Sequence, residues 1–274
     1  MVLGDNLPYL QSMPTGSVQL IYIDPPFNTG RAQTRTNRKA SPSNSGRLGF
    51  QGKRYEQVVQ SVLSYDDEFA DYWSFLEPRL EEAWRLLGET GTLYLHLDYR
   101  ESHYAKVLLD ALFGRDSFLN EIIWAYDYGA RSKSRWPAKH DNILVYVKNP
   151  QSYYFDSKEV DREPYMAPGL VTKEKAELGK LPTDVWWHTI VSPTGKEKTG
   201  YPTQKPEGIL RRIITASSKP GDLVLDFFAG SGTTAAVAGK LGRKFVTVDQ
   251  NPESISTVTA RLDQAQISYR LISG

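Results

Sequence analysis

Four consecutive residues near the amino end, Asp24-Pro25-Pro26-Phe27, join a carboxylate, two imino acids and an aromatic ring. Successive prolines stiffen the backbone and remove two N–H donors, which leaves nearby carbonyls to accept hydrogen bonds. A carboxylate, a fixed carbonyl and an exposed ring face suit a flat ligand that carries an NH2 group. The exocyclic amine of a nucleobase meets that description. A Pro-rich turn with a capping aspartate is the plainer account of the same residues. A second constellation lies near the other end of the chain: Asp226-Phe227-Phe228-Ala229-Gly230-Ser231-Gly232-Thr233-Thr234, with Asp249 beyond it. Glycines there let the backbone come close to a ligand, and a helix starting after them offers free N–H groups. Asp249, at the end of the next strand, is placed to accept hydrogen bonds from a ribose diol. Read as Gly230-x-Gly232-x-x-Ala235, the turn also satisfies the dinucleotide fingerprint, so a nicotinamide-dependent oxidoreductase is a competing expectation. No hydride-transfer partner accompanies it, and Asp24 would then have no part to play.

Both constellations need strands to present them. The run Val18–Ile23 is short, apolar and bounded by Gly16 and the prolines. It predicts a buried strand with Asp24 at its carboxyl end, where open α/β sheets place their ligands. Residues 223–228 and 244–248 predict two more strands, with helices over 209–216, 233–241 and 252–265. Residues 2–4 read as the tail of a strand ending at Asp5, and 7–13 as a helix. Trp73, Leu76, Leu80, Ala83, Trp84 and Leu87 have the three-four spacing of a core-facing helix, which Gly88 and Gly91 end. A strand over 92–97 and a helix over 103–113 follow, and 121–126 with 142–147 predict an antiparallel pair at the sheet edge. Two stretches lack a period. Residues 28–67, rich in Ser, Asn, Gln and basic side chains, predict a long basic loop; 149–199, polar and aromatic, predicts an insertion outside the sheet core.

With 274 residues the chain can bury one large α/β core with insertions. Its net charge of +1 provides no global basic field, so a polyanionic partner must be met by a local patch. The absence of cysteine excludes disulfide scaffolds, thiolate zinc sites and thiolate nucleophiles. His96, His103, His140 and His188 lack ligand spacing, so they are expected to pack or hydrogen-bond and no metal site is expected. No run approaches the roughly 20 apolar residues of a membrane span. No signal peptide is read after Met1, and a cytoplasmic protein is expected.

Taken together, three motifs carry a resemblance to a known family. The run from Asp226 to Thr234 resembles the S-adenosylmethionine-binding motif of amino-methylating DNA methyltransferases. Asp24-Pro25-Pro26-Phe27 resembles their catalytic motif, and Tyr201-Pro202-Thr203-Gln204-Lys205-Pro206 resembles the segment that completes their cofactor site. The catalytic motif comes first and the cofactor motif last, an order similar to the β class and to the modification subunits of type III restriction systems. The resemblance spans nearly the whole chain and is weakest over 149–199 and after Asn28. It implies a circularly permuted Rossmann-like S-adenosylmethionine-dependent methyltransferase fold, α/β, with a mostly parallel sheet, an antiparallel edge pair and an inserted target-recognition region. It divides the chain into a catalytic half, 1–148, containing the basic loop 28–67; a target-recognition insertion, 149–199; and a cofactor-binding half, 200–274.

The same resemblance implies roles. Asp24 and the Pro25 carbonyl would hold a target amine, with Pro26 beside them and Phe27 stacked on a flipped base. Phe228, Gly230 and Gly232 would line the methionine end of S-adenosylmethionine, within the run that includes Asp226, Ala229, Ser231 and Thr233. Thr203 and Lys205 would lie nearby, Asp249 would take the ribose hydroxyls, and Asp5 the cofactor adenine. Double-stranded DNA is the implied partner. Its phosphates are assigned to the basic residues Arg31, Arg35, Arg38, Lys39, Lys53 and Arg54. Arg131, Lys133 and Arg135, beside Trp136, suit a nucleic-acid groove. A homodimer, or association with a restriction or specificity subunit, is a further expectation. Asp at the first motif position leans to adenine N6, with cytosine N4 as the alternative. Missing cysteines exclude carbon-5 methylation of cytosine, which needs a thiolate. RNA guanine-amine methyltransferases can carry a similar tetrapeptide, but with the cofactor motif ahead of it. The intact Asp24 and glycine turn argue against a catalytically silent DNA-binding module. The chain begins almost on the Asp5 strand, so either that strand is very short or a preceding piece is missing.

Overall fold

The computed structural model describes residues 1–273 apart from 29–32, 49–53, 66–71, 128, 130 and 193; for 33–48 and 54–65 it describes the backbone alone. Eleven strands and seven α-helices are found among the described residues. In chain order the first elements are β1 (Val2–Leu3), α1 (Asn6–Ser12), β2 (Val18–Ile23), β3 (Gln33–Leu48), β4 (Arg54–Tyr65), α2 (Tyr72–Leu86) and β5 (Leu87–Leu97). Then come α3 (Ser102–Phe113), β6 (Phe118–Ala125), β7 (His140–Val147), α4 (Lys173–Leu178) and β8 (Val185–Trp187). The chain ends with α5 (Glu207–Ser217), β9 (Leu223–Asp226), α6 (Thr233–Lys240), β10 (Lys244–Asp249), α7 (Pro252–Gln264) and β11 (Ile272–Ser273).

Nine strands form one sheet in the order β11-β1-β10-β9-β2-β5-β7-β6-β8. The first six are mutually parallel. β7 runs against both β5 and β6, and β8 closes the far edge parallel to β6. The central strands are apolar on both faces because helices cover both. On β2, Ile21 and Ile23 enter a core with Leu10, Leu76, Leu80 and Leu109, whereas Leu20 and Tyr22 enter another with Ile209, Ile213 and Val237. That alternation is the period-two signature of a strand sandwiched between layers.

Strands from the first and last quarters of the chain meet at the sheet centre. Leu20 and Ile21 of β2 pair with Val224 and Leu225 of β9. From β9 the chain passes through α6 to β10 on one side; from β2 it leads to β5 on the other. The carboxyl ends of β2 and β9 therefore flank the point where strand order reverses, the place where such sheets bind ligands.

Three local expectations are corrected. The segment expected as a basic loop contains β3 and β4, which pair antiparallel as a separate two-stranded sheet. Its polar composition lacks the hydrophobic alternation by which a strand is recognised, although Val58, Val59 and Val62 are β-branched. Gly88 and Gly91, expected only as helix stops, lie inside β5. Finally, the stretch 149–199 does enter the sheet: β8 is its edge strand and Trp186 is buried in the core. Three residues are too few to register as a period.

Candidate active site

A cavity of about 350 Å3 opens at the switch point. The end of β2 contributes Asp24, Pro25, Pro26 and Phe27, the glycine turn after β9 contributes Phe228, Ala229, Gly230 and Ser231, and Asp249 comes from the end of β10. Thr203 and Lys205 reach it from the segment before α5, Asp226 and Thr233 line its floor, and Asp5 stands at its α1 side. Residues more than 180 positions apart in the chain thus share one wall.

Asp24 is paired with Lys205 through its Oδ2 atom. Its Oδ1 atom is shielded from solvent and makes no hydrogen bond among the described residues. Behind it lies a polar network that only the folded chain assembles. His96, fully buried on β5, meets the Tyr22 hydroxyl through Nδ1 at 2.7 Å and Asp141 through Nε2 at 3.1 Å. Tyr126 donates to the other Asp141 oxygen at 2.9 Å. Burial is the largest influence on the Asp141 carboxyl and raises it, but the His96 contact, the Lys205 charge and the Tyr126 hydroxyl together outweigh it and hold the group below its ordinary value. Burial, with Asp24, Asp226 and Asp141 nearby, pushes the Tyr22 phenol well up. A carboxylate can only accept, so Nε2 carries the hydrogen toward Asp141, and the Tyr22 hydroxyl closes the network at Nδ1. His96 Nδ1 stands 4.0 Å from Asp24 Oδ1, and the ring centroids of His96 and Phe27 are 5.8 Å apart. His96 was expected to pack or hydrogen-bond; its position behind Asp24 follows only from the pairing of β2 with β5.

The glycine turn is held by carboxylates at its back. Asp249 accepts the Gly230 N–H through Oδ2 and the Asn251 N–H through Oδ1, both at 2.9 Å, and burial raises its pKa. The group also lines the cavity. Asp226 accepts the Phe228 N–H at 3.1 Å; burial pushes its carboxyl up to about 8, with the Thr234 and Phe228 hydrogen bonds opposing the shift. Gly230 has a φ of +49°, and a Cβ there would meet the Tyr201 ring at 3.6 Å, on the cavity side. Gly232 differs. It does not line the cavity; at φ +70° it packs so closely on α7 that a Cβ would lie 2.7 Å from Val258. The close packing of the turn on α7 thus depends on this glycine. Asp5 is the N-cap of α1, accepting the Leu7 N–H at 3.1 Å, and is ion-paired with Arg79 at 2.9 Å. Asn6 ties α1 to the turn by donating to the Phe227 carbonyl at 2.7 Å. Neither Asn6 nor Arg79 belongs to a motif, so no local signal marks them.

The set of groups fits S-adenosylmethionine. Carboxylates at Asp24 and Asp249 face one cavity, with the Asp226 carboxyl on its wall, Phe27, Phe75 and Phe228 as apolar surface and Gly230 leaving backbone exposed. Such a site suits a cationic nucleoside better than an anionic pyrophosphate.

The family model for N6/N4 DNA methylases matches residues 18–260. The chain belongs to this family. Among its relatives, DNA adenine methyltransferase YhdJ of Escherichia coli (strain K12) is 33% identical over 270 residues, which cover 96% of this chain and 82% of that one. The type II methyltransferase M.HpaI of Haemophilus parainfluenzae is 29% identical, covering 96% and 74%. The cytosine-N4-specific PvuII DNA methyltransferase shares the fold at a TM-score of 0.63 and 16% identity, over 94% of this chain and 84% of that one. The M1.HpyAVI–SAM complex does so at a TM-score of 0.60 and 21% identity, over 96% and 100%.

In this N6/N4 methylase the DNA-contact candidates fall into two groups. Arg131, Lys133 and Arg135 are exposed on the turn between β6 and β7, next to Trp136, which is 96% exposed. β6 runs in the direction of β2, so this turn stands at the Asp24 end of the sheet. Arg35, Arg38 and Lys39 fall on β3 and Arg54 on β4, where only the backbone is described, and Arg31 and Lys53 lie outside the described residues.

Proposed function

We propose that this protein is a DNA methyltransferase that moves a methyl group from S-adenosylmethionine to the exocyclic N6 of a flipped-out adenine in duplex DNA. The observation that carries the reading is the meeting of Asp24-Pro25-Pro26-Phe27 with the glycine turn in one cavity. The adenine target is favoured by the Asp at position 24 and by the name of the YhdJ relative.

The cofactor supplies an electrophilic methyl group on a sulfonium. An adenine amine is a poor nucleophile because its lone pair is delocalised into the ring. Asp24 and the Pro25 carbonyl accept its two N–H groups, which localises the lone pair and aims it, while Phe27 stacks on the base. Positioning and electrostatics then supply most of the acceleration. The base must leave the duplex, at about a few kcal/mol. On the cofactor side, Asp249 takes the ribose hydroxyls and Asp5 the adenine amine. Phe228 and the Gly230 backbone line the methionine end together with Thr203, and Gly232 holds the turn in shape.

Residues 1–148 and 200–274 act as the catalytic and cofactor halves, and 149–199 selects the sequence. The basic residues of 28–67 and of the β6–β7 turn contact phosphates, which position DNA without reading it. We place the enzyme in the cytoplasm, acting with a second copy or with a restriction or specificity subunit. Among the described residues no helix is long and apolar enough to cross a membrane. The test is nucleoside mass spectrometry and methylation-sensitive sequencing of DNA from cells expressing the protein. N6-methyladenine at one sequence is expected, and N4-methylcytosine would replace the adenine assignment. DNA with neither mark would overturn the reading.

A further inference from the structure

Lys205 stands where the proposed reaction needs its substrate. Its ammonium is ion-paired with Asp24 Oδ2 and lies 5.0 Å from the centroid of the Phe27 ring. Those are the two groups assigned to the target: the carboxylate for its amine and the ring face for its base. The second carboxylate oxygen offers no substitute. Asp24 Oδ1 is shielded from solvent, and the nearest charged-type partner is His96 Nδ1 at 4.0 Å. The outward acceptor is therefore capped.

We infer that Lys205 is a built-in competitor for the target amine, holding Asp24 while the base subsite is empty and swinging away when a flipped base enters. The inference rests on the DNA-amine function proposed above. The Lys205 backbone is anchored: its carbonyl accepts the Thr233 hydroxyl at 2.9 Å, and α5 begins two residues later with Glu207, bonded to Arg261 at 2.9 Å and Lys240 at 2.8 Å. The four-carbon stem is the part that can move, since it carries a point charge on freely rotating bonds. Two physical consequences follow. A largely buried carboxylate keeps a partner between turnovers, avoiding the cost of standing alone. Binding of any base is also weakened by the fraction of time the subsite is closed. A base without an exocyclic amine, such as thymine, offers only its ring N3–H, recessed between two carbonyls that repel the carboxylate, in place of the lysine contact it displaces, so the lock discriminates against it.

The experiment is equilibrium binding of a duplex containing the protein's own methylation site, with S-adenosylhomocysteine present so that no transfer occurs. Wild type is compared with Lys205→Met and Lys205→Arg. Methionine keeps the length of the stem and removes the charge, whereas arginine grips a carboxylate at two points. Methionine is expected to tighten binding by about fivefold or more and arginine to weaken it by a similar factor. All three should bind a duplex without the site alike. 2-Aminopurine at the target position gives a second measurement, its fluorescence rising most with Lys205→Met and least with Lys205→Arg. A lysine that merely orients Asp24 gives the reverse order, with Met weakest and Arg restoring affinity. That order, or three equal constants, overturns the inference. Wild-type methyl transfer to the same duplex separates the two claims. Transfer with the wrong order removes the lock alone; no transfer to any DNA amine removes the proposed function and the lock with it.

Discussion

Asp24 and Asp226 end neighbouring parallel strands, and the same residue type meets opposite surroundings there. Leu225 pairs with Ile21, so Asp226 stands level with Tyr22 and Asp24 lies two residues further toward the open end. That offset decides their chemistry. Asp226 is buried, spends its lone pairs on the turn that follows it, and has its carboxyl pushed up to about 8 by burial. Both line the cavity, but Asp24 stands further out and turns one oxygen to the Lys205 ammonium. A carboxylate at a strand end is thus a ligand or a turn-former according to how far it projects past its neighbour, which neither motif states.

The largest expected effect breaks the comparison at Asp24. Asp24→Ala should lower methyl transfer at least a hundredfold, or roughly 3 kcal/mol, because the lost contact acts on the reacting amine. Cofactor affinity by calorimetry should stay within about threefold, since the glycine turn is untouched. A variant with more than half of wild-type turnover would sink the assignment. Asp226→Asn, the matched change next door, is expected to keep the Phe228 N–H contact and lose far less rate.

The glycines test the other strand end. Gly230→Val should weaken S-adenosylmethionine binding about tenfold or more, as a side chain enters the cavity from a backbone at positive φ. Gly232→Val should act on stability instead, by about 1–3 kcal/mol of overpacking against Val258. Calorimetry and thermal midpoints on both variants check the split; equal loss of affinity with equal stability would refute it.

A smaller effect sharpens the contrast by pH. Asp226 rises from 3.8 to about 8 on folding, so between those values the native protein keeps a proton that the unfolded chain releases. Its contribution to stability is full below the unfolded value and is lost as pH rises through the folded one. Wild type should therefore lose urea resistance between pH 5 and 8 more steeply than Asp226→Asn, by up to about 1.4 kcal/mol per pH unit. Parallel curves would show that Asp226 is ionised throughout.

The smallest effect lies away from both aspartates. Neutralising Arg131, Lys133 and Arg135 should weaken binding to every DNA alike and lower the salt slope by about one unit per lost phosphate contact. Site choice should not change. Methylome mapping that found new target sequences would instead give this turn a part in recognition.

Much of this fold was legible because its signals are local. Val18–Ile23, the glycine turn and the helices over α2, α3, α5, α6 and α7 each show a period or a stop within a dozen residues. β3 and β4 were not, since polar strands that pair only with each other need no apolar face, and β8 is too short to show one. At the site, Asp24, Phe27, Gly230 and Asp249 carry motif signals, whereas Asn6, Arg79 and Asp141 carry none. The packing of Gly232 on Val258 was not legible, because a glycine that clears a ligand and one that clears a helix look alike in sequence.

By itself the sequence determined which groups are present and in which order: an acidic strand end with rigid carbonyls, a glycine turn, an acidic strand end beyond it, and no thiol. Those are properties of residue type and short spacing, which the local backbone already enforces. Only the tertiary structure decided that Asp24 and the glycine turn share a cavity, that Lys205 caps the carboxylate, and that His96 bridges Tyr22 to Asp141 behind it. Those contacts join residues 45 to 181 positions apart. They depend on strand order and register, which the burial of two opposite core layers fixes cooperatively and no single stretch encodes.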